Sequence, residues 1–466
     1  MSRYRPMVVV LSRRAAMLVL ALFVGTFGLA ADARAQAVRI PGAYPPVTLS
    51  SGIQIQNLST QAAHVTVSYI GTFPATQSLT IPASQSVTLF GDSMGVSTEF
   101  FGSAVITSDQ PVAAITNVQT TNPPTGEAYD GIGQPATTVH VPLFQQANGG
   151  FDTSLFVMNA SSLSNDVTVT FLSATGAVVS TASASVPPLG STAFPATPLP
   201  ITGAFVGSAI VTAAQPVAVV VKQSNGAILF LSNGSAAGSP TLFAPLLMTD
   251  NNGWSTGLQV QNSGTLATTA SLFLNGGTTA VAAARLNPGQ SVTWFPLPGT
   301  TAGTRFVGSG TVTSDNGQPL VGIVNELNTV TGQGMAYDTF NGGSQTVNLP
   351  LIMFDNHGFF TGEQIQNVGT CDTTVDFSID GTLVTSRALA IGQSFTLFST
   401  TSNLIPNGGT VAGATARARD ACGAIVGIVN EVTSPQQVGD TSFAYGGIAS
   451  GFLQNFLPAV YKDFVH

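Results

Sequence analysis

The sequence predicts an all-β protein: four tandem antiparallel β-sandwich repeats of about 100 residues each, behind an N-terminal signal peptide. Three observations support this prediction. A set of short words recurs at a nearly constant step, apolar and polar residues alternate inside those words, and turn-forming residues separate them. We take these observations in turn and then ask what chemistry the chain could carry.

The first recurring word is GIQIQNLST at Gly52, with near copies GLQVQNSGT at Gly257 and GEQIQNVGT at Gly362, and a divergent copy, SLFVMNASS. Each copy contains one Asn: Asn57, Asn159, Asn262 and Asn367. Successive copies are 102, 103 and 105 residues apart. This period is longer than that of most solenoid repeats, so each repeat is predicted to be a domain with its own core.

Three further words keep the same order, beginning with QSVTLF at Gln85, FGSAVITSDQPVAAI at Phe101 and EAYDGI at Glu127; the last has lost its Tyr in the second copy. They divide the chain into a signal peptide and four repeats. The predicted boundaries are 1–35 for the signal peptide, 36–139 for repeat 1, 140–243 for repeat 2, 244–348 for repeat 3, and 349–466 for repeat 4.

Apolar residues inside the repeats recur at every second position, which is the period of a half-buried strand. Val65, Val67 and Tyr69 would face a core, and in the opening word Ile53 and Ile55 alternate with Gln54 and Gln56. Gly, Pro, Asn and Asp cluster between such runs, where turn geometry favours them. About seven short strands per repeat are typical of a β-sandwich, with a barrel or jelly roll as the alternative.

This layout of short strands and Asn-Ser and Pro-Gly-x-Ser turns resembles the immunoglobulin-like and fibronectin-III-like repeats of bacterial secreted and surface proteins. The resemblance extends over residues 40–455 and is generic, because the Cys and Trp marks of antibody domains are absent. It implies a set of sandwich domains at the cell surface.

Residues 1–35 have the three parts of a secretory signal peptide: four arginines, an apolar core from Ala15, and small residues before a cleavage site after Ala35. A retained membrane anchor is the alternative. Beyond residue 35 no apolar run approaches the length of a membrane-spanning helix. We therefore expect a secreted or cell-surface protein with no transmembrane span in the mature chain.

Cations are scarce: the chain holds 13 Lys and Arg against 21 Asp and Glu, and five of those cations lie in the predicted signal peptide. Nucleic-acid binding and docking on anionic lipid both need clustered Lys and Arg, so both are disfavoured. The partners we expect are the protein itself or cell-surface and matrix components, with carbohydrate possible.

The only two cysteines, Cys371 and Cys422, lie in repeat 4 of a chain predicted to be exported, so we expect a disulfide. The same repeat has Arg417 where the other repeats align an apolar residue, and Asp376 or Glu431 could pair with it. The C-terminal segment from Leu457 repeats the start of repeat 4; it would complete that repeat or pair with another chain.

The recurring Asn is predicted to be a turn residue that tolerates left-handed backbone and bonds its own main chain. GDSMG around Ser93 matches the Gly-x-Ser-x-Gly nucleophile motif, but the residues after it read as loop and strand rather than helix. We therefore predict no catalytic residue and no enzymatic activity.

No cofactor or metal site is predicted. The histidines are scattered singly: His64, His140, His357 and His466. The turns DNNG at Asp250 and DNHG at Asp355 could hold calcium only if Glu326 or Asp338 folded nearby, and such turns are more often just turns.

The functional hypothesis is a non-enzymatic structural or adhesive repeat protein. The first alternative is a carbohydrate-binding array in which Trp254 or Trp294 stacks on sugar rings, although both could instead pack in the core of repeat 3. The second alternative is a hydrolase that uses Ser93.

Overall fold

The computed structural model describes residues 47–195, 203–398, 409–433 and 439–465, all within one compact unit, Pro45–His466. The predicted signal peptide and its cleavage site after Ala35 lie outside the described residues. In the described ranges, no helix is long and apolar enough to cross a membrane.

The all-β prediction is confirmed. The strands pair antiparallel, and in the described part of the chain the one helical element is a single 3-10 turn, Gly91–Met94. Repeat 1 contains β1 Thr48–Asn57, β2 Ala63–Gly71, β3 Ala75–Ile81, β4 Ser86–Phe90, β5 Phe100–Thr121 and β6 Pro124–Asp130. Repeat 2 contains β7 Ala136–Gln146, β8 Asp152–Asn159, β9 Asn165–Ser173, β10 Val178–Val186, β11 Ser191–Pro195, β12 Phe205–Ser224 and β13 Leu229–Asn233.

Repeat 3 contains β14 Thr241–Thr249, β15 Trp254–Asn262, β16 Thr268–Leu274, β17 Ala282–Leu286, β18 Ser291–Trp294, β19 Phe306–Ser314, β20 Leu320–Asn328 and β21 Gln333–Asp338. Repeat 4 contains β22 Thr346–Phe354, β23 Phe359–Asn367, β24 Thr373–Ile379, β25 Thr382–Leu389, β26 Ser394–Phe398, β27 Thr410–Ala418, β28 Ile425–Thr433 and β29 Phe443–Gly446. The chain ends with β30 Phe452–Lys462 and β31 Phe464–Val465.

Repeat 3 shows the sandwich-like arrangement most simply. One sheet has the order β14-β19-β16-β17 and the other β18-β15-β20-β21, and apolar side chains from both sheets share one core. Repeat 4 has the same two orders. In repeats 1 and 2 the long strands β5 and β12 take part in both sheets, so each repeat forms one continuous sheet.

The alternation seen in the sequence places side chains as predicted. Val65, Val67 and Tyr69 are buried in the core of repeat 1, while Thr66 and Ser68 of the same strand are only partly covered. The β-branched and aromatic residues of these strands therefore supply the apolar contacts between the two sheets.

The C-terminal strand corrects an expectation. β30 does not complete repeat 4; it pairs with β5 of repeat 1, with Leu457 opposite Ala104. β7, β14 and β22 pair with β12, β19 and β27 in the same way inside their own repeats. The segment from Leu457 echoes the start of repeat 4 because it occupies the equivalent place in repeat 1. The two ends of the described chain thus build one repeat together.

Three strands run across the positions at which the sequence predicts borders between repeats. β7, β14 and β22 contain the positions 139/140, 243/244 and 348/349. Each of these strands enters the sheet of the repeat that follows it.

Candidate functional site

The recurring Asn is a buried anchor for the loops of its own repeat. Asn262 is fully buried; its Nδ2 donates to the carbonyl oxygens of Leu266 and Leu286 at 2.8 and 3.0 Å, and its Oδ1 accepts from the Gly264 amide at 2.9 Å. The equivalent bonds recur at Asn57, Asn159 and Asn367. Bonding to the main chain is as expected, but the left-handed conformation is not, since each Asn ends a strand.

The Gln residues of the opening word are buried, although the alternation predicted a half-exposed strand. Gln259 is 3% exposed, and its Nε2 donates to the Ser291 hydroxyl at 2.9 Å on the neighbouring strand. Gln261 is fully buried and donates to the Ser208 hydroxyl of repeat 2 at 2.9 Å. The polar face of this strand therefore packs against the preceding repeat instead of water.

Equivalent hydrogen bonds join successive repeats. Three serine hydroxyls donate to a turn carbonyl of the following repeat: Ser103 to Leu189 at 2.8 Å, Ser208 to Gly289 at 3.1 Å, and Ser309 to Gly392 at 2.6 Å. Repeat 4 carries Gly413 at this position, and there the Gln56 amide of repeat 1 donates to the Ala414 carbonyl at 3.4 Å. The contacts run from repeat 1 to repeat 4 and back to repeat 1, so the repeats form a closed ring.

The centre of this ring is a set of four short strands, β6, β13, β21 and β29, one from each repeat. Each contacts the strands of the two neighbouring repeats. Glu127 on β6 links three of the four strands: its carboxylate accepts from the Ala128 amide at 2.8 Å, the Ala444 amide at 2.6 Å and the Ala336 amide at 2.7 Å. We call these four strands the axial strands.

Asp440 plays a similar role toward β13 and β21. Its two carboxylate oxygens accept from the Leu229 amide at 2.7 Å and the Gly334 amide at 2.8 Å. Asp338 accepts from the Asn233 amide at 2.9 Å. Carboxylates thus satisfy main-chain donors that would otherwise be unpaired strand edges inside the protein.

Seven carboxyl groups lie at or beside the axial strands. Five are buried, namely Glu127, Glu326, Glu363, Glu431 and Asp440, and two are partly buried, namely Asp130 and Asp338. Desolvation raises the pKa of Glu326 and Glu431 to about 8. It raises the pKa of Asp338, Glu363 and Asp440 to about 7. Desolvation also raises the pKa of Glu127 and Asp130 well above its ordinary value, although main-chain amides that donate to both carboxylates oppose the shift.

A second set of bonds surrounds the axial strands. At three of the four junctions between repeats, the side-chain amide of an Asn donates to the side-chain oxygen of a Glu or Gln in the preceding repeat. The pairs are Asn117 to Glu431 at 2.7 Å, Asn430 to Glu326 at 2.8 Å, and Asn325 to Gln223 at 3.2 Å. At the fourth junction, between repeats 1 and 2, the corresponding residues are Lys222 and Val118.

The Tyr of the AYD word is also a structural group. Tyr129 donates to the Ala459 carbonyl at 2.7 Å, Tyr337 to the Leu246 carbonyl at 2.5 Å and Tyr445 to the Leu351 carbonyl at 2.5 Å. Each bond ties an axial strand to the first strand of the sandwich, which is β30 in repeat 1. The absence of this Tyr from repeat 2 leaves β13 without the equivalent bond.

Ser93 lies outside the context that a catalytic serine needs. It is exposed in the 3-10 turn that follows β4, and its hydroxyl accepts from the Phe90 amide and donates to the Phe90 carbonyl, both at 2.8 Å. A nucleophile elbow requires a strand, a sharp turn and an α-helix, with a His and an acid at the hydroxyl. The hydroxyl here closes a turn instead.

The residues considered for metal binding each bond to a different partner in the chain. Asp250 accepts from the Gly303 amide, Glu326 from Asn430, and Asp338 from Asn233. His64 pairs with Asp109 at 2.7 Å on the surface. Within the described ranges there is no group of three or more His, Cys, Asp or Glu that could hold a metal ion.

Both tryptophans pack against the core of repeat 3. Trp294 is 7% exposed, and Trp254 is partly buried against the same cluster. This is the packing that the sequence offered as the alternative to sugar stacking.

The disulfide is present: Cys371 and Cys422 are bonded, with their Cα atoms 5.7 Å apart. Arg417, in contrast, does not occupy an apolar position. It is exposed opposite Asp376 on the neighbouring strand, and the fully buried position equivalent to Ile106 is filled by Ala416. The alignment of repeat 4 with the other repeats is therefore shifted by one residue here.

Sequence reasoning missed the buried carboxylates and the interface role of the glutamines. A signal existed: Gln recurs at two fixed positions of the opening word in three repeats, and polar residues retained at alternate strand positions can line an interface between repeats as well as a solvated face.

The chain matches no protein-family model and no curated protein. Among solved structures, it is similar to dimeric latent PorU from Porphyromonas gingivalis, at 12% identity over 72% of this chain with a TM-score of 0.10; the match spans 32% of the PorU chain. It is also similar to a tetra-tandem repeat in the extending region of a large adhesion protein, at 12% identity over 86% of this chain and 98% of the other, with a TM-score of 0.09. Both TM-scores are too low for either structure to indicate the fold or function of this chain.

Proposed function

We propose that the chain is an exported, non-enzymatic structural or adhesive protein, built from four immunoglobulin-like β-sandwich domains that close into a ring at the cell surface or outside the cell. The domains follow the predicted repeats, 36–139, 140–243, 244–348 and 349–466, with the C-terminal strand completing the first. The signal-peptide pattern of residues 1–35 supports export.

One observation supports the proposal: the polar side chains of the recurring words form hydrogen bonds inside the protein, whereas the aromatic side chain that ends one of the words is exposed. The Asn, Gln and Tyr of the words bond within or between repeats. The Phe that ends the QSVTLF word remains 49% exposed as Phe90 and 56% exposed as Phe295. Exposed aromatic residues at equivalent positions are suited to contact with another surface.

A glycine in the opening word lies directly beneath each of these rings. A Cβ on Gly52 would meet the Phe90 ring at 3.5 Å, and one on Gly257 would meet the Phe295 side chain at 3.6 Å. In repeats 1 and 3, two of the recurring words thus combine to present one exposed aromatic side chain.

Expression of the full chain with its leader, followed by cell fractionation, tests export. We expect an N-terminus at Gln36 and protein in the medium or the surface fraction; unprocessed protein inside the cell would contradict the proposal. Adhesion is tested by a double variant, Phe90→Ser with Phe295→Ser, which should lower retention on the envelope fraction of the producing cells.

Phe73→Ser is the matched control, because Phe73 is also 49% exposed but belongs to no recurring word. Equal retention of the wild type and the double variant would remove the adhesive half of the proposal and leave only the structural half. Neither sugar stacking nor hydrolysis has a supporting observation in the positions of Trp254, Trp294 and Ser93.

A further inference from the structure

A cavity lies at the one junction of the ring that lacks the Asn-to-Glu or Asn-to-Gln bond. It has a volume of about 230 Å³ between repeats 1 and 2 and is lined by both repeats and by the C-terminal strand. Its apolar walls include Leu49, Val118, Phe156, Leu229 and Tyr461. Lys222 also lines it.

The ammonium group of Lys222 is a cation in a largely apolar place. In the other three junctions the equivalent residue is a neutral Asn with a partner in the preceding repeat. At this junction the preceding repeat offers Val118, which has no polar group. Among the described residues, no carboxylate lies within ion-pair distance of Lys222.

Asp440 does not take this role. Asp440 accepts from the amide of Leu229, a cavity-lining residue, and its other oxygen accepts from Gly334. Burial lowers the pKa of Lys222, because the ammonium loses hydration without gaining a counter-charge. An anion in the cavity would supply that charge.

The size and the apolar lining of the cavity indicate the part of a ligand that is not its anionic group. A cavity of roughly 150 Å³ accommodates benzene. The larger cavity here therefore suits a molecule with on the order of ten non-hydrogen atoms, most of them apolar.

We propose that this cavity is a binding site for a small monocarboxylate with an apolar chain of about eight carbons, whose carboxylate pairs with Lys222 while its chain lies against Leu49, Val118 and Phe156. The site exists at one junction only, because repeat 2 alone carries a lysine at this position.

Isothermal titration calorimetry of the mature chain, residues 36–466, with sodium octanoate tests the proposal. Octanol and octylamine serve as probes of similar size and different charge. We expect one octanoate per chain, octanol at least tenfold weaker, and no octylamine binding, since a charge-assisted hydrogen bond changes affinity by about that factor or more.

Two variants separate the charge from the cavity. Lys222→Met should bind octanoate at least tenfold more weakly and no better than octanol. It should fold, because it replaces a partly buried cation without an ion-pair partner by an apolar group of similar length. Val118→Glu places a carboxylate where repeats 3 and 4 carry Glu326 and Glu431. It should pair with Lys222 and abolish octanoate binding.

Arg387→Met is the matched control, because it removes one cation from an exposed position of repeat 4 that does not line the cavity, and it should leave octanoate affinity unchanged. Urea unfolding of each variant checks the fold. Equal affinity of the wild type for octanoate and octanol, full octanoate affinity in Lys222→Met, or no binding of any probe would each overturn the proposal.

Discussion

Replacing Asn262 by Ala should destabilise the protein through the loss of one buried amide. The wild-type side chain makes three hydrogen bonds, two to the carbonyl oxygens of Leu266 and Leu286 and one from the Gly264 amide. A net contribution of roughly 0.5–1.5 kcal/mol for each of the three bonds predicts a loss of about 1.5–4.5 kcal/mol in the free energy of unfolding. Urea denaturation followed by tryptophan fluorescence measures it, since Trp254 and Trp294 both belong to this repeat.

Asn262→Asp is the informative comparison. It retains the acceptor for Gly264 but turns the donor into an acceptor that faces two carbonyl oxygens, so near neutral pH it should destabilise at least as much as Ala. At a pH low enough to protonate the carboxyl group, part of the loss should be recovered. If both variants unfold within about 0.5 kcal/mol of the wild type, which is the range of ordinary surface substitutions, the anchoring role is refuted.

Three further predictions concern the ring, the disulfide and the buried acids. Truncation after Ser450 removes β30 and β31, leaves one side of β5 unpaired and exposes the core of repeat 1. We therefore expect the truncated chain to lose cooperative unfolding and the sharp near-UV circular dichroism spectrum. A truncated chain that unfolds like the wild type would contradict ring closure. Replacing Cys371 and Cys422 by Ser should lower the stability of repeat 4 by up to about 4 kcal/mol, because the bridge joins residues 51 positions apart. The urea midpoint measures this loss, and chemical reduction of the wild-type protein should reproduce it. Glu326 and Glu431 have a carboxyl pKa of about 8, and Asp338 has a pKa of about 7. Between about pH 4 and pH 8 these groups bind more protons in the folded than in the unfolded protein, so the free energy of unfolding should fall as pH rises through 7 to 8. A urea midpoint at pH 9 equal to or above that at pH 6 would contradict this sign.

The local pattern of the sequence was sufficient for the strands and for the covalent link. Alternation such as Val65, Val67 and Tyr69 specifies which face of a strand is apolar, because the side-chain period of a strand is two whatever the strand packs against. Two cysteines in one repeat of a chain predicted to be exported left few alternatives to their pairing. The repetition of the words showed that one local architecture recurs, since equal words need equal surroundings.

The sequence alone determined the all-β class, the recurring unit and the disulfide, whereas only the tertiary structure decided how the units meet. Gln261, Glu127 and Asp440 look like solvated polar residues in the sequence, and they are buried because a neighbouring repeat covers them and supplies their hydrogen-bond partners. The pairing of β30 with β5 joins residues more than three hundred positions apart, and no local pattern encodes such a contact. The periodicity of a strand describes its two faces, but which surface covers each face depends on the closed arrangement of the whole chain.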